Sequence, residues 1–499
     1  MNNRKNPSVV IIGAGMTGMA LVVKLREAGI TNITLLEKAT DIGGTWRENR
    51  YPGVACDVPS HAYTYSFEPY PEWDKLLSDG SQIHGYFKMV WTKYGIDKVT
   101  KLGQQVTHCS FDDNSGQWTV KTQTGDTYTA DLLFSATGIL HKPVYPNIPG
   151  LDSFAGIAMH SARWDSSVDF KHKKIGVIGV GSSGVQLIPE LINTEGTDVT
   201  VFQRTPQWIV EMKNRDYSDK EKAAFRSNPA KMGKVKKLYL GVFQLGTQAL
   251  TDNSFLGRMM HKLFAWNSRR YLEKTVKDPV LRDKLRPNYK FGCKRAVMNS
   301  TFYPAIQKPN AHLVTEGIDK VVPEGIVTKD GKTHALDILV LATGFDPAAF
   351  MRPMEFTGRN GLSIDQAWEK KITAYRSLCI PGFPNFFLML GPNSPIGNYS
   401  VIDMSEIQAD YCIGLIKAWQ NGTLDTIEVK PEAVDQWRAM LKSKMNRTVW
   451  ASGCQSWYLD ADGDPLTWPD KWTAWVNMMR DVDLSAFQQP AVAGDRKAA

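Results

Sequence analysis

Val9-Val10-Ile11-Ile12-Gly13-Ala14-Gly15-Met16-Thr17-Gly18 decides the fold of this 499-residue chain. Four consecutive apolar residues before a glycine mark a strand buried on both faces, as in a parallel sheet. The three glycines have separate tasks. Gly13 permits a tight turn, Gly15 lets backbone come close to a pyrophosphate, and Gly18 lets the next helix pack against the strand. Leu21, Val22 and Leu25 then fall on one helical face. The following apolar run, Ile33-Thr34-Leu35-Leu36, ends in Glu37, where an acid about 20 residues on accepts ribose hydroxyls. Such an acid repels a 2′-phosphate, which leaves FAD or NAD rather than NADP. The competing reading, a glycine turn with no nucleotide, leaves the position of Glu37 without a reason.

The pattern occurs twice. Ile175-Gly176-Val177-Ile178 leads into Gly179-Val180-Gly181-Ser182-Ser183-Gly184, and each copy closes on an apolar strand and Ala-Thr-Gly, at 136–138 and 342–344. Two doubly wound, Rossmann-like α/β domains are therefore expected. After the strand at 199–202 the acid is replaced by Gln203-Arg204-Thr205. A guanidinium and a hydroxyl suit a 2′-phosphate, so this loop reads as an NADPH site; the alternative is an arginine paired on the surface. The expected segments are 1–143 and 385–487 for an FAD-binding domain, 144–216 and 287–384 for an NADP-binding domain, 217–286 for a helical insertion, and 488–499 for a disordered tail.

Composition narrows the class. The length excludes a single core, and 42% hydrophobic with 22% charged residues is ordinary for a soluble globular protein. The net charge of +8 comes without a long arginine-rich tract, so no nucleic-acid groove is indicated. Lys231, Lys234, Lys236 and Lys237 read as one face of an exposed helix. Six cysteines without a Cys-x-x-Cys disfavour a disulfide framework, a zinc site and a dithiol reductase, and fit a reducing cytoplasm. No metal site is expected. No run of about 18 apolar residues marks a membrane span, and Val9 to Ile12 is too short for a signal-peptide core. The apolar stretch Leu238 to Leu250 reads as helices over a substrate channel rather than as a membrane-surface element.

Residues 43–57 include Gly43-Gly44-Thr45-Trp46, Asn49-Arg50-Tyr51-Pro52-Gly53 and Cys56-Asp57. Paired glycines let backbone run close to a flat ring system, and Trp46 and Tyr51 offer apolar walls. Asp57 is an acid among apolar residues and needs a cation to hold its charge. Lys294-Arg295 is the candidate source. Adjacent cations on an extended segment point to opposite sides, one toward a phosphate and one toward the ring. A solvated basic pair is the open alternative at this point.

The stretch Phe154-Ala155-Gly156…His160…Trp164-Asp165 reads Phe-x-Gly-x-x-x-His-x-x-x-Trp-Asp. With the two glycine loops and residues 43–57, it resembles the type I Baeyer–Villiger monooxygenases over residues 8–470. The resemblance implies FAD, NADPH and O2, a small-molecule ketone as substrate, and an ester or lactone formed through a C4a-peroxyflavin. It implies an FAD site at Gly13, Gly15, Thr17, Gly18, Glu37, Thr45, Trp46, Asp57, Tyr63, Val106 and Met404. It implies an NADP site at Gly179, Gly181, Ser182, Ser183, Gly184, Gln186, Arg204, Thr205, Lys294 and Arg295. Within it, Lys294 binds the 2′-phosphate, and Arg295, polarised by Asp57, is catalytic beside the flavin. It also implies that His160 and Trp164 fall in an interdomain linker and couple domain motion to catalysis, and are not metal ligands.

The C-terminal Gly453-Cys454-Gln455-Ser456-Trp457-Tyr458…Trp468-Pro469 departs from the cyclohexanone-type branch. It resembles a branch that oxidises aryl and other bulky ketones, with Trp457 the candidate for an active-site tryptophan. Two alternatives are a monooxygenase for amine or sulfide heteroatoms, whose fingerprint usually ends without Trp-Asp, and a non-catalytic flavin-binding regulator, which should lack Arg295 or the second loop.

Overall fold

The computed structural model describes residues 4–395, 399–454, 456, 458–460 and 462–489. Of the strands before residue 342, these build the two parallel sheets: β1 (Val9–Ile12), β2 (Ile33–Leu36), β3 (Thr100–Lys101), β4 (Leu132–Ser135), β5 (Ile157–His160), β6 (Lys174–Ile178), β7 (Asp198–Phe202), β8 (Ala311–Val314) and β9 (Ile338–Leu341). A tenth, β10 (Phe386–Leu388), follows. They form two sheets, in the orders β10-β4-β1-β2-β3 and β8-β7-β6-β9-β5. Every pairing in both is parallel. The fold is thus the expected pair of doubly wound α/β domains. In each sheet the strand before the glycine loop lies between the next strand and the strand that ends in Ala-Thr-Gly. The chain leaves to one side and returns on the other, which opens a crevice at the carboxyl end of that strand, where such folds bind ligands.

Helix α1 (Met16–Glu27) follows the first loop, the short α2 (Thr45–Glu48) follows Gly44, and α3 (Ser182–Asn193) follows the second loop. The region 217–286 is helical, as its lack of strand alternation predicts: α4 (Asp219–Ser227), α5 (Ala230–Thr251), α6 (Phe255–Thr275) and α7 (Pro279–Lys284). The first part of this insertion rests on the first domain, while Tyr271 and Leu272 of α6 stay in the second domain's core. Met232 is buried in the first domain's core. Lys236 Nζ donates to Asp403 Oδ1 at 2.6 Å and to the Thr64 carbonyl at 3.3 Å. Asp403 lies in α8 (Val401–Gln420), which packs along α1.

Three expectations change. Phe350, Phe356, Trp368 and Phe383 share a core with Val10, Ile12 and Leu36. The chain therefore crosses back to the first sheet just after Gly344, well before the boundary expected at 384. Aromatic residues in irregular segments carry no periodicity that would announce this. The apolar stretch of α5 is not a buried channel roof along its length, because Leu238, Val242 and Leu245 are exposed. Of the tail expected at 488–499, Gln488 still donates its amide to the Glu428 carbonyl at 2.9 Å, and residues 490–499 lie outside the described residues.

The cysteines are also corrected. Cys293 and Cys454 form a disulfide across 161 residues, with Cα atoms 5.2 Å apart, while Cys56, Cys109, Cys379 and Cys412 are buried thiols. A pairing this remote leaves no local spacing to read. Thiol titration of the unreduced protein in denaturant should find four reactive groups. Six after reduction completes the test, and six before reduction would contradict the bond.

His61 holds the insertion to the first domain through rings rather than charge. It is buried against Tyr217 and Phe225, with ring centroids 5.3 and 4.5 Å away. Burial lowers its pKa from 6.5 to about 4. The unfolded chain therefore takes up this proton first as pH falls. The contribution to stability is full above pH 6.5 and is lost progressively toward pH 4. The loss is on the order of 3 kcal/mol. Urea unfolding of His61→Phe across this range should show a shallower acid limb than the parent, and parallel limbs would remove His61 from the acid response.

Candidate active site

Both glycine loops are built to receive an anion at a helix start. Gly13 and Gly179 each have φ +106°, and a Cβ there would meet the carbonyl oxygens of Ala136 and Ala342, in the two Ala-Thr-Gly segments. Helices α1 and α3 begin at Gly15 and Gly181, with no capping side chain and no acid in the first turn. Their first amides and the positive dipole end are thus free for a phosphate. Nothing lies within 4 Å of a Cβ built on Gly181, and only Gly44 lies near one on Gly15. The residues present fit two dinucleotides.

Around the first loop, Glu37 is buried and its carboxylate accepts the amides of Ala14 at 2.9 Å and Ala39 at 3.0 Å. It braces the turn. Thr17 Oγ1 and Ser405 Oγ are 2.8 Å apart, and Met404 beside Ser405 is fully buried. Val106 is buried just beyond Gln104, whose amide bonds to the Glu37 carbonyl at 2.8 Å. Thr45 opens α2, and the carbonyl of this residue accepts the Asn49 amide and side chain. Trp46 Nε1 donates to Tyr63 Oη at 3.0 Å, with the two rings edge to face at 5.7 Å. Tyr63 Oη in turn lies 3.1 Å from Met16 Sδ. The segment 43–63 is therefore laid directly against the glycine loop.

The other end of that segment joins the second domain. Tyr51 is buried in the core of the second domain, and its hydroxyl donates to Gln186 Oε1 at 2.9 Å. Gln186 Nε2 donates to the Ala55 carbonyl at 2.9 Å. A Cβ on Gly53, at φ +79°, would come within 2.8 Å of the Gln186 carbonyl oxygen. Tyr51 thus ties this segment to the second domain. Ser182, Ser183 and Gly184 form the first turn of α3, with Ser183 beside the Tyr51 hydroxyl.

Arg295 and Asp57 meet between the two loops. Arg295 Nη2 donates to Asp57 Oδ1 at 2.8 Å and Oδ2 at 2.7 Å. The carboxylate raises the guanidinium pKa further, so the group stays charged. The arginine side chain keeps 29% of its surface accessible, so part of the cation faces open space. Lys294 points elsewhere, with Nζ 5.2 Å from the centroid of the Tyr289 ring. Its pKa is lowered, first by burial and then by the charge of Arg204. Arg204 itself is exposed and Thr205 half-buried, at the end of β7. Two cations in mutual repulsion make a strong site for a dianion, which relieves both.

Residues 10–226 match the family described as pyridine nucleotide-disulphide oxidoreductase. A solved structure of OTEMO in complex with FAD and NADP superposes with a TM-score of 0.85 at 27% identity, covering 97% of this chain and 100% of that one. An uncharacterized monooxygenase of Mycobacterium tuberculosis is 44% identical over 463 residues, 93% of this chain and 92% of its own. A Baeyer-Villiger monooxygenase of Streptomyces coelicolor is 37% identical over 490 residues, 97% of this chain and 93% of its own. The chain belongs to the Baeyer–Villiger monooxygenases.

In this member of the Baeyer–Villiger family, His160 closes β5 and is buried where the two interdomain crossings meet. Its ring lies 5.5 Å from Tyr145 and 6.0 Å from Phe345, and Val144 donates its amide to the Gly344 carbonyl at 2.9 Å. Trp164 stacks on Phe170 at 5.0 Å. Trp457 lies outside the described residues. Its neighbour Tyr458, which sequence reasoning passed over, is buried, and Arg295 and Asp57 both act on its hydroxyl, which burial pushes up to about 12. A second aromatic in Trp457-Tyr458 was the available signal. Met16 and Ser405 were also missed, and nothing local marks either.

Proposed function

We propose that this monooxygenase oxidises a ketone to an ester or lactone with NADPH and O2, one oxygen atom entering the product and the other leaving as water. FAD is held at the first loop, by the start of α1 and residues 37, 45–46 and 63. NADP is held at the second, by the start of α3, Arg204, Thr205 and Lys294. When bound, NADPH supplies two electrons and FAD the means of activating O2.

The single observation that carries the reading is the Arg295–Asp57 pair, a charged fork held from one side with its other face accessible. Insertion next to a carbonyl develops negative charge on oxygen, first on the attacking atom and then on the former carbonyl oxygen. A fixed cation stabilises that charge without reorganising. Asp57 orients the fork and holds it in place. Tyr458, Tyr63 and Trp46 are apolar bodies that keep water away from it. Tyr63 carries a hydroxyl held neutral by burial, its pKa raised well above 10.0. Neither phenol competes for the charge on Arg295.

The test is a product screen by mass spectrometry. The purified, FAD-loaded protein is given NADPH and cyclic, linear, aryl and steroid ketones alongside a sulfide and an amine. An ester or lactone heavier than its ketone by one oxygen supports the proposal. Sulfoxide or N-oxide as the main product assigns the protein to heteroatom oxidation instead.

A further inference from the structure

The outer face of the α5–α6 hairpin has no partner among the described residues. On α5, Leu238, Val242 and Leu245 follow at helical spacing and are 66%, 46% and 46% exposed. On α6, Leu256, Met259, Leu263 and Trp266 form a second stripe, between 47% and 53% exposed, and Phe255 at the hairpin tip reaches 77%. The opposite faces hold the hairpin down. Met232, Tyr239 and Phe243 pack into the first domain, and Phe264 stacks on Phe291 at 6.3 Å. Both apolar stripes therefore face away from the body of the protein.

Charge is concentrated on the same element. Residues 230–272 contain eight lysines and arginines against Asp252 as the one acid, a net +7 compared with +8 for the whole chain. Asp252 is 3.2 Å from Lys471 and Lys236 is bound to Asp403, so both are engaged by the body. Lys231, Lys234, Lys237, Arg258 and Lys262 are exposed among the apolar side chains.

We infer that this hairpin docks the protein on an anionic membrane surface. An interfacial element pairs Leu, Phe and Trp, which enter the acyl boundary, with Lys and Arg, which meet acidic headgroups. No helix among the described residues is long and apolar enough to cross a membrane, so contact is peripheral. A second copy fits poorly, because an isologous contact brings two faces of net +7 together. A nucleic-acid backbone matches the lysines but gives the leucine stripes nothing to bury against. The hairpin's inward side also rests on the segment that leads to Arg295. Leu250 lies against Gly292, and His261 Nε2 is 2.9 Å from the Phe291 carbonyl, in the segment that leads to Arg295. A docked enzyme meets water-insoluble ketones where they dissolve; this consequence rests on the ketone reading, whereas docking does not.

The FAD-loaded full chain is sedimented with phosphatidylcholine vesicles with and without phosphatidylglycerol. Binding should require the anionic lipid and weaken with salt. Lys234→Gln/Lys262→Gln should lower the partition coefficient about tenfold or more, at roughly fivefold per charge near a surface. Leu238→Ser/Leu263→Ser should lower it to a similar degree, with flavin absorbance and thermal melting showing both variants folded. No binding of the parent to anionic vesicles, or binding that both variants retain in full, overturns the inference. Self-association of the parent that the leucine variant abolishes, without vesicle binding, assigns the face to a second copy.

Discussion

Arg295→Ala should bind FAD, be reduced by NADPH and then turn O2 into hydrogen peroxide, with ester formation reduced at least about 100-fold. The separation of effects follows from where the side chains point. Lys294 lies over Tyr289 beside the field of Arg204, while Arg295 lies on Asp57. On the proposed mechanism, removing the guanidinium leaves Lys294 and Arg204 for the dinucleotide and deletes the charge that would face the reacting oxygens. Arg295→Lys should recover little, because Nη2 alone meets both Asp57 oxygens and leaves the rest of the guanidinium for a second oxygen, whereas a lone ammonium held by Asp57 has no second nitrogen to offer. Stopped-flow reduction by NADPH, followed by ester and peroxide yields after mixing with O2, reads the two halves separately. Near-normal ester from the alanine variant would remove Arg295 from the chemical step.

Lys294→Ala should raise KM for NADPH on the order of 10- to 100-fold and leave KM for NADH nearly unchanged. That range corresponds to a charged hydrogen bond of about 1.5–3 kcal/mol. The lowered pKa of Lys294 points the same way. Burial and Arg204 disfavour its charge, so it gains most when a dianion arrives. Arg204→Ala should act in the same direction but less strongly, since that side chain is exposed and screened. An equal loss with both coenzymes would place these residues in the fold rather than at the 2′-phosphate.

The double fold was legible because it is written locally. Four buried residues, a glycine turn and a helical stripe occupy neighbouring positions, and the two copies could be compared. Different partners for Lys294 and Arg295 were expected from an extended backbone, although Lys294 sits in a bend and Arg295 just before the strand at Val297–Met298. The contacts that complete the site were not legible, because they join distant parts of the chain. Tyr458 reaches Arg295, and Cys454 reaches Cys293, from more than 160 residues away. Neither meeting leaves a period or a spacing in the sequence. Tyr51 reads as an apolar wall by type, yet its hydroxyl bonds to Gln186 and its ring enters the second domain's core. The apolar stretch of α5 has a helical period, but periodicity cannot say whether a stripe faces a core or the outside.

The central claim is that one atom of O2 enters a ketone at this site at the expense of one NADPH. The direct measurement uses a ketone converted in the product screen, with 18O2 in ordinary water, and compares ester formed, NADPH consumed and label retained. One labelled oxygen in each ester molecule and one NADPH per ester are the results predicted. NADPH oxidation that yields only hydrogen peroxide across the ketone panel, or an ester whose new oxygen comes from water, would contradict it.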